Sequence, residues 1–563
     1  MVSGEQSLRK AIAMRRALLS VTASALIALA VCGASAGAEA PHAMVVSEGA
    51  LATQAGVEIL RRGGNAIDAA VATSLAVGVT NAASCGIGGG GFMLIYLAKP
   101  HRFYALDYRE TAPLAARAAM YVRDGKPHEE LARSGPLAVA VPGELAGLDA
   151  ALRRFGTMKF SQVAAPAIRI ATQGFPVAPH MVEDIALVAA QITADPGLKG
   201  TFMTPGGTLP KAGDILTNKA LAATLRSLGD EPAQRFYRGE IARELVTWMK
   251  EHGGLITARD LDAYRPLWRT PLRRAYRGYE VWTMPPPSSG GVVLEILGML
   301  AEAPLSGLGF DSPPYLARLI EVMREGFVDR AQYADPAFVH VPIDELLSQH
   351  HVDEALKHAL RRGATVHLVP AADHGTSNLM VADKDGNVVA VTTTINTIFG
   401  AKMMVQGLGV VLNDEMDDFA VAPGVPNAFK LAGVRANEIA PGKRPLSSMS
   451  PTIVTHESHP VLAVGASGGP TIITGVVQVA LGALDFYLSP EDAVDEPRIH
   501  QQASPDIVFV ESEMPDAARR ALAKMGYRLR EVRELGAVGA IAIAPGDLKG
   551  AFDPRKGGGA AGL

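Results

Sequence analysis

The sequence is almost free of cysteine. Cys32 and Cys85 are the only two among 563 residues, and Cys32 lies in an N-terminal segment that we expect to be removed. Cys85 then remains alone, so no disulfide can form within the chain even in an oxidising compartment. We predict that Cys85 is a small apolar core residue.

A long run of basic residues and the usual spacings of metal ligands are also missing. The formal net charge of −4 argues against a nucleic-acid-binding surface, and a small molecule or peptide is the expected substrate. The 14 histidines include no HExxH motif. We therefore expect neither a metal nor a cofactor.

The one long apolar run lies at the N-terminus. Four basic residues between positions 9 and 16 precede the apolar residues 17–31, and three candidate cleavage sites follow, the first ending at Ala36 and the last at Ala40. This pattern predicts a signal peptide over residues 1–40 and a periplasmic or secreted protein. The alternative is an uncleaved membrane anchor, although about 15 apolar residues are few for a spanning helix.

The rest of the chain divides into a helical part and a strand-rich part. Residues 361–375 form a polar linker suited to a backbone cut, and 272–284 form a strand-like run. Helices before the linker and strands after it favour stacked layers of helices and sheets. Helices are predicted at 50–62, 66–79, 144–155, 160–172, 220–228, 239–252 and 314–331.

A glycine-rich segment from Gly86 to Gly91 spells GxGxxG. It follows a helix and leads into the strand Phe92–Leu97, whereas the dinucleotide-binding motif leaves a strand and opens a helix. We therefore interpret it as a tight loop that packs closely or lies beside a site. The next strand leads to Arg109, whose guanidinium suits either a substrate carboxylate or a surface ion pair.

The dipeptide Gly375-Thr376 stands at the start of a predicted hairpin formed by 377–383 and 388–394. A threonine hydroxyl needs a base to become a nucleophile. An α-amino group freed by a cut before Thr376 can be that base, because its pKa is about 8. Glycine suits the bent backbone of an intramolecular attack. The alternative is a Thr–Ser pair that opens an edge strand after a polar loop.

Three clusters follow Thr376. The acidic segment 413–419 marks either a strand end or a solvated loop, and the segment 443–451 combines basic residues with serines or forms a plain polar turn. Gly468 and Gly469 precede a predicted helix at 471–484. Their N–H groups would favour a developing negative charge there, as in an oxyanion hole.

Together these stretches resemble the γ-glutamyltranspeptidase family of N-terminal-nucleophile hydrolases. The runs Pro445–Pro451 and Asp417–Phe419 are specific to that family. The matching segments follow the family order over nearly the whole mature chain, at 88–93, 109–110, 286–291, 375–377, 385–387, 392–396, 413–419, 423–427, 443–451, 468–469 and 553–555.

The resemblance implies an α+β fold, a four-layer αββα sandwich of the N-terminal-nucleophile hydrolase type. It also implies a proenzyme that cuts itself between Gly375 and Thr376. The large subunit, 41–375, and the small subunit, 376–563, would remain together as a heterodimer.

The resemblance assigns a role to each site residue. Thr376 would attack the γ-amide carbonyl of glutathione or a related compound, and the γ-glutamyl ester would pass its acyl group to water, an amino acid or a peptide. Thr394 would hydrogen-bond near the nucleophile, and Gly468 and Gly469 would stabilise the oxyanion. The substrate α-carboxylate would bind Arg109, Ser447 and Ser448, and the α-ammonium would bind Asn396, Glu415 and Asp418.

The sequence departs from the family pattern just after the nucleophile. The family usually has Ser/Thr, His, an aromatic and a small residue, whereas this chain has Ser377, Asn378, Leu379 and Met380. Strand alternation places Asn378 on the face of Thr376, where an amide is expected to slow maturation or alter acyl preference.

Residues 421–433, which contain Phe429, resemble the lid loop that many bacterial members of the family place over the site. Members specialised for cephalosporin or glutaryl groups tend to lack this loop, so the resemblance favours a γ-glutamyl substrate. Two alternatives stay open. One is an acylase of the same family for glutaryl or cephalosporin amides. The other is an uncleaved member that binds γ-glutamyl compounds without turnover.

Overall fold

Two seven-stranded sheets lie at the centre of the fold in a computed structural model that describes residues 37–361, 375–431 and 433–563. Sheet I has the strand order β14-β2-β8-β9-β3-β4-β5, and sheet II has the order β1-β13-β12-β11-β10-β7-β6. Their strands are β1 Gly37–Ala40, β2 Met44–Ser47, β3 Gly90–Leu97, β4 Arg102–Asp107, β5 Leu267–Arg269, β6 Leu272–Tyr276, β7 Tyr279–Thr283, β8 Gly375–Ala382, β9 Val388–Asn396, β10 Thr452–His456, β11 His459–Ser467, β12 Ala537–Ala544, β13 Asp547–Phe552 and β14 Gly559–Gly562.

Helices cover the outer face of each sheet. On the sheet I side lie α1 Ala50–Arg61, α2 Ala66–Thr80, α3 Glu144–Phe155 and α4 Phe160–Gln173, and on the sheet II side lie α5 Gly290–Leu300, α6 Pro313–Asp329, α7 Gln349–Ala359 and α8 Thr471–Asp485. β8 of sheet I packs against β11 of sheet II. The predicted αββα sandwich is therefore confirmed.

Shorter elements connect these layers. The remaining helices are Glu130–Arg133, Pro179–Leu187, Ala189–Ala194, Pro196–Phe202, Lys219–Ser227, Pro232–Arg238, Glu240–Glu251, Ala258–Ala263, Leu305–Leu308, Ile343–Leu346, Pro490–Asp495 and Asp516–Lys524. The remaining strands are Val122–Arg123, Lys126–Pro127, Phe175–Pro176, Ile215–Leu216, Met404–Val405, Val410–Val411, Ile499–His500, Val508–Glu511 and Leu529–Val532. Single 3₁₀ turns occur at Ala118–Tyr121, Pro136–Ala138, Arg330–Gln332, Glu415–Asp418, Arg435–Asn437 and Pro554–Lys556.

The residues of β8 alternate between two cores. Leu379 and Val381 pack with the helices outside sheet I, whereas Met380 and Ala382 pack between the sheets and with the layer beyond. Because side chains alternate along a strand, Thr376 shares the face of Met380, toward sheet II. Asn378 lies on that face too, as predicted, and its Nδ2 donates to the Ala537 carbonyl oxygen of β12 at 3.3 Å.

The strand-like run at 272–284 is two strands rather than one. β6 and β7 form an antiparallel hairpin whose turn is Arg277-Gly278. Both turn residues have positive φ, 50° and 86°, which is the conformation that a two-residue hairpin turn requires. The apolar pattern continues through this turn, so the sequence alone does not indicate it.

Two expectations fall largely outside the described residues. Residues 1–36 of the expected signal peptide and residues 362–374 of the linker are not described, but the last four residues of the predicted leader form β1, which pairs with β13. Among the described residues, no helix has the length and apolar character needed to span a bilayer.

Candidate active site

The pairing of β8 with β9 is irregular at the predicted cut. Gly375 lies opposite Asn396 and Thr376 lies opposite Thr394, so Ile395 has no partner on β8. Asn396 adopts a φ of 78°, which asparagine tolerates better than most residues. This bulge bends the strand at the Gly375–Thr376 peptide bond, and bulges of this kind re-aim side chains beside active sites.

Three oxygen atoms form a triangle at the bulge. The hydroxyl oxygens of Thr376 and Thr394 each lie 2.7 Å from the Gly375 carbonyl oxygen and 3.0 Å from each other. The two hydroxyls have only two protons, so two of the three contacts are hydrogen bonds at any moment. The N–H of Asn396 donates to the Thr394 hydroxyl at 2.8 Å and fixes its position.

A buried polar network lies on the other side of Thr376. The Lys556 ammonium donates to the Thr376 carbonyl oxygen at 3.2 Å and lies 3.3 Å from Glu48. Asn81 donates to Glu48 and, at 3.2 Å, to the Ser377 hydroxyl. Burial lowers the pKa of Lys556, but Glu48 and other carboxylates outweigh it and raise that pKa above its ordinary value. Lys556 is therefore a fixed positive charge beside Thr376.

Arg109 joins the two stretches that sequence analysis assigns to the substrate head group. Its buried guanidinium pairs with Glu415 through Nη1 and with Asp418 through Nη2. Its Nε donates to the Pro445 carbonyl oxygen at 3.4 Å. A third carboxylate, Glu110, lies 3.7 Å from Nη1. One guanidinium and three carboxyl groups thus lie together in one small, largely buried volume.

This cluster has three carboxylates around one guanidinium. Burial raises the pKa of Glu415 well above its ordinary value, although Arg109 opposes the change. Burial also raises the pKa of Glu110 to about 8 and raises that of Asp418. Removal from water disfavours the charged form of a carboxyl group, so these carboxyl groups hold a proton more tightly than exposed ones do.

A second buried arginine, Arg330, lies beside the predicted serines. Its Nη2 donates to the Ser448 hydroxyl at 3.1 Å and its Nε donates to the Ser289 hydroxyl at 2.9 Å. Ser289 in turn donates to the Ser447 carbonyl oxygen at 2.6 Å. Burial lowers the pKa of Arg330 to about 10, so it remains charged at neutral pH.

Asn396 is bonded to the acidic segment from the opposite side. Its Nδ2 donates to the Asp414 carbonyl oxygen at 3.1 Å. The Asp414 carboxylate is held by the Thr397 N–H at 2.9 Å and by Lys402 at 3.5 Å. Hydrogen bonds therefore connect Thr394 through Asn396 to Asp414, the residue just before Glu415.

Gly468 and Gly469 link the end of β11 to α8, and the lid packs against them. Both have positive φ, 124° and 59°, and a Cβ on Gly469 would lie 2.6 Å from the Phe429 ring. Asn427 of the lid donates to Asp418 at 3.1 Å, and Gln502 donates to the Phe429 carbonyl oxygen at 3.1 Å. The lid is thus closed over both groups of predicted site residues.

Two cavities flank the lid. One, of about 210 Å³, is lined by Arg330, Asp418, Asn427 and Leu446 among others. The other, of about 360 Å³, is lined by Phe429, Pro470, Thr471, Lys430 and Lys556 among others. Gln502 borders both.

The glycine-rich segment packs closely against β9 and the strand Val410–Val411, as expected. A Cβ on Gly89 would lie 1.9 Å from the Thr394 carbonyl oxygen, and one on Gly88 would lie 2.0 Å from that of Val411. Only glycine allows these approaches. Cys85, at the start of the segment, is buried with a free thiol, which fits the predicted core role.

The structure brings Arg109 into contact with Glu415 and Asp418. Arg330 connects the two serines, because it donates to the Ser448 hydroxyl and, through Ser289, is linked to the Ser447 carbonyl oxygen. Sequence analysis missed Arg330 and Lys556. Arg330 follows a helix, where a basic residue is common without a functional role. Lys556 lies one residue beyond the matching segment 553–555, which was the available signal.

Comparisons with known proteins agree with this arrangement. Residues 52–563 match the family model described as Gamma-glutamyltranspeptidase. A protein named glutathione hydrolase proenzyme from Escherichia coli K12 is 38% identical over 528 residues, which cover 92% of this chain and 91% of the relative. One of the same name from Pseudomonas sp. A14 is 39% identical over 561 residues, with 96% and 97% covered.

A solved structure has a closely similar fold. The cephalosporin acylase from Bacillus halodurans superposes with a TM-score of 0.82 at 30% identity, and the match covers 93% of this chain and 96% of the acylase. The similarity therefore extends over the whole sandwich.

Proposed function

Since the chain belongs to the γ-glutamyltranspeptidase family of enzymes and has the N-terminal-nucleophile hydrolase fold, we propose that it is a self-cleaving glutathione hydrolase and γ-glutamyltransferase with Thr376 as nucleophile. The observation that carries this proposal is the contact of the Gly375 carbonyl oxygen with the hydroxyls of Thr376 and Thr394.

Maturation would begin with attack of the Thr376 hydroxyl oxygen on the Gly375 carbonyl carbon. Thr394 donates to the carbonyl oxygen and would stabilise the negative charge that develops on it. The peptide C–N bond breaks as the Thr376 nitrogen takes up a proton, which leaves an ester. Water then hydrolyses this ester to the Gly375 carboxylate and the free Thr376 hydroxyl, so Thr376 keeps the α-amino group that the C–N cleavage released.

The two fragments would remain interlocked after the cut. In sheet I, β8 pairs with β2 and β9 pairs with β3, so strands from both sides of Gly375 alternate. In sheet II, β7 pairs with β10 in the same way. Separation would break ladders in both sheets, which supports a stable heterodimer of 41–375 and 376–563.

In the mature enzyme, the charged cluster would hold the zwitterionic head of a γ-glutamyl compound. Arg109 would bind the α-carboxylate together with Ser447 and Ser448. The Ser448 hydroxyl accepts from Arg330 and the Ser447 hydroxyl accepts from the Met449 N–H, so each can donate its proton to a carboxylate. The substrate would compete with the carboxylates that now pair with Arg109.

The α-ammonium would bind Asp418, Glu415 and the Asn396 side chain. Asp418 and Glu415 already face a cation, Arg109, and a substrate ammonium would share them. A site built for both charges rejects acyl groups that lack one of them, because buried charges would be left unpaired.

Turnover would use the freed amino group of Thr376 as base. The Thr376 hydroxyl attacks the γ-amide carbonyl, and the leaving amine takes up the proton. The N–H groups of Gly468 and Gly469 would stabilise the oxyanion. The cavity beside Lys556 and Phe429 would take the leaving group and the acceptor amino acid or peptide, because it reaches the residue bonded to the Thr376 carbonyl.

The similarity to a cephalosporin acylase keeps a second candidate open, an acylase for amides without an α-ammonium. The lid favours the γ-glutamyl reading, since Asn427 connects it directly to Asp418. The test compares two anilides, γ-glutamyl and glutaryl, which differ only in the α-amino group. Strong preference for the γ-glutamyl anilide is expected, and equal rates would favour the acylase.

We also propose export through the N-terminal signal. Removal of all of residues 1–40 would delete β1, which pairs with β13 from Gly37 to Ala40. A cut after Ala36, the first of the three small-residue sites, would retain this strand. N-terminal sequencing of the large subunit from exporting cells distinguishes the two sites.

A further inference from the structure

A cluster of three possible metal ligands lies outside sheet II, away from the site described above. Glu295 is on α5, Asp329 ends α6 and His351 is on α7. One ligand atom from each lies within 4.8 Å of the others. The cluster therefore joins three helices that are distant in sequence, which explains why no spacing motif indicates it.

Glu295 is the member that needs a partner. It is 0% exposed, and neither carboxylate oxygen accepts a hydrogen bond from any residue that the structure describes. The nearby Tyr333 hydroxyl is also buried without a hydrogen-bond partner in the same part of the chain. An unpaired buried carboxylate is costly, so a counter-charge or a proton must stabilise it.

The neighbouring cations do not fill this role. Arg274 donates from Nη1 to the Leu347 carbonyl oxygen and from Nη2 to Gln349, both at 2.8 Å. His351 places Nε2 2.8 Å from Asp329 and 3.9 Å from Glu295. One imidazole edge therefore faces two carboxylates, which together can balance the charge of a divalent ion.

We propose that Glu295, Asp329 and His351 bind one divalent transition-metal ion, with Zn²⁺ as the preferred ion. Imidazole with carboxylates is a ligand set that Zn²⁺ accepts in proteins, whereas Mg²⁺ and Ca²⁺ favour sites made of oxygen alone. Tetrahedral ligands at about 2.0–2.1 Å lie roughly 3.3 Å apart, between the two His351 distances. His351 is 25% exposed and provides the route of entry.

This site is separate from Thr376 and Arg109, although Asp329 directly precedes Arg330, which bonds to Ser448. None of its three residues contacts Thr376 or the charged cluster around Arg109 in the described structure, so the ion is assigned a structural role that pins α5, α6 and α7 together. An ion that binds the folded state but not the unfolded state raises thermal stability.

The test starts with purified protein treated with a chelator and then equilibrated with Zn²⁺, Mg²⁺ or Ca²⁺ in separate samples. After gel filtration, elemental analysis should find one zinc per heterodimer, and of the three ions only Zn²⁺ should raise the unfolding midpoint. Glu295→Gln and His351→Ala should each lose the zinc and the shift. His350→Ala, at the exposed neighbouring histidine, should retain both.

Two results would overturn the proposal. One is wild-type protein that retains no zinc and shows no shift, which would mean that a proton stabilises Glu295. Burial and the adjacent Asp329 raise the pKa of Glu295 well above its ordinary value, in agreement with that outcome. The other is zinc that persists in both ligand variants. His351→Ala keeps the test decisive if Glu295→Gln fails to fold.

Discussion

The Thr394 hydroxyl lies 2.7 Å from the carbonyl oxygen of Gly375. In the proposed cleavage it would stabilise charge on this oxygen and hold the Thr376 hydroxyl, 3.0 Å away. The positions of both threonines depend on the bulge, which leaves Ile395 without a partner on β8. The proposed cut thus relies on a local irregularity of an otherwise regular sheet.

Thr394→Ala should slow self-cleavage by about 100-fold, the usual effect of losing one oxyanion donor. The measurement is the conversion of the full-length band into two bands on denaturing gels over time. Thr392→Ala is the matched control, because Thr392 lies two residues away on the same face of β9 and its hydroxyl has no hydrogen-bond partner among the described residues. Equal slowing in both variants would mean that Thr394 contributes only packing and no specific hydrogen bond.

Asp418→Ala should abolish turnover of a γ-glutamyl anilide while the two-band pattern persists. The variant removes a carboxylate that pairs with Arg109, but no contact with Gly375 or Thr376. Steady-state rates and gels of the same preparation provide the measurement. Asp385→Ala, on the exposed hairpin turn, should remain fully active. Unchanged turnover in the Asp418 variant would remove this residue from the ammonium site.

Asn378→Ala should leave self-cleavage nearly as fast as in the wild type. Although Asn378 shares the face of Thr376, its amide donates to the Ala537 carbonyl oxygen, and its Oδ1 has no hydrogen-bond partner among the described residues. It therefore does not hold the scissile bond. Gel time courses provide the measurement, and loss of cleavage would show that Asn378 takes part in maturation.

The stability of the protein should fall as the pH rises from about 4.5 to about 7, in part because of Glu144. Burial raises the pKa of this carboxyl to about 7, although Ser74 and Thr393 donate to it. The folded state therefore holds the proton more tightly than the unfolded state, and the stabilisation is lost on ionisation. The loss amounts to about 3 kcal/mol over this window.

Glu144→Gln should remove the part of this pH dependence that comes from Glu144. Glutamine has nearly the same shape and cannot ionise. The unfolding midpoints of both proteins at about pH 5 and about pH 8 provide the comparison. An equal decrease in wild type and variant would assign the effect to other buried carboxyl groups.

The sequence predicts most of the fold for physical reasons that are local. Asn65 caps α2 and forms a reciprocal capping box with Asp68, and the alternation of side chains along β8 puts Asn378 on the face of Thr376. The hairpin of β6 and β7 could not be predicted, because the apolar pattern of residues 272–284 continues on both sides of the Arg277-Gly278 turn.

The site was predictable only where the chemistry is carried by motifs. Arg109 and Glu415 of the 413–419 segment are 306 residues apart in sequence. Only the resemblance to the family predicts, without the structure, that they belong to one site. Arg330 and Lys556 act through contacts that packing creates, with Ser448 and with the Thr376 carbonyl. No periodicity or spacing encodes such contacts.

The central claim is that Thr376 becomes the first residue of a separate chain. N-terminal sequencing of the smaller fragment of the purified protein should read Thr-Ser-Asn-Leu-Met, and Thr376→Ala should give one uncut chain. A single full-length band in the wild type, or a fragment that begins at another residue, would contradict the account.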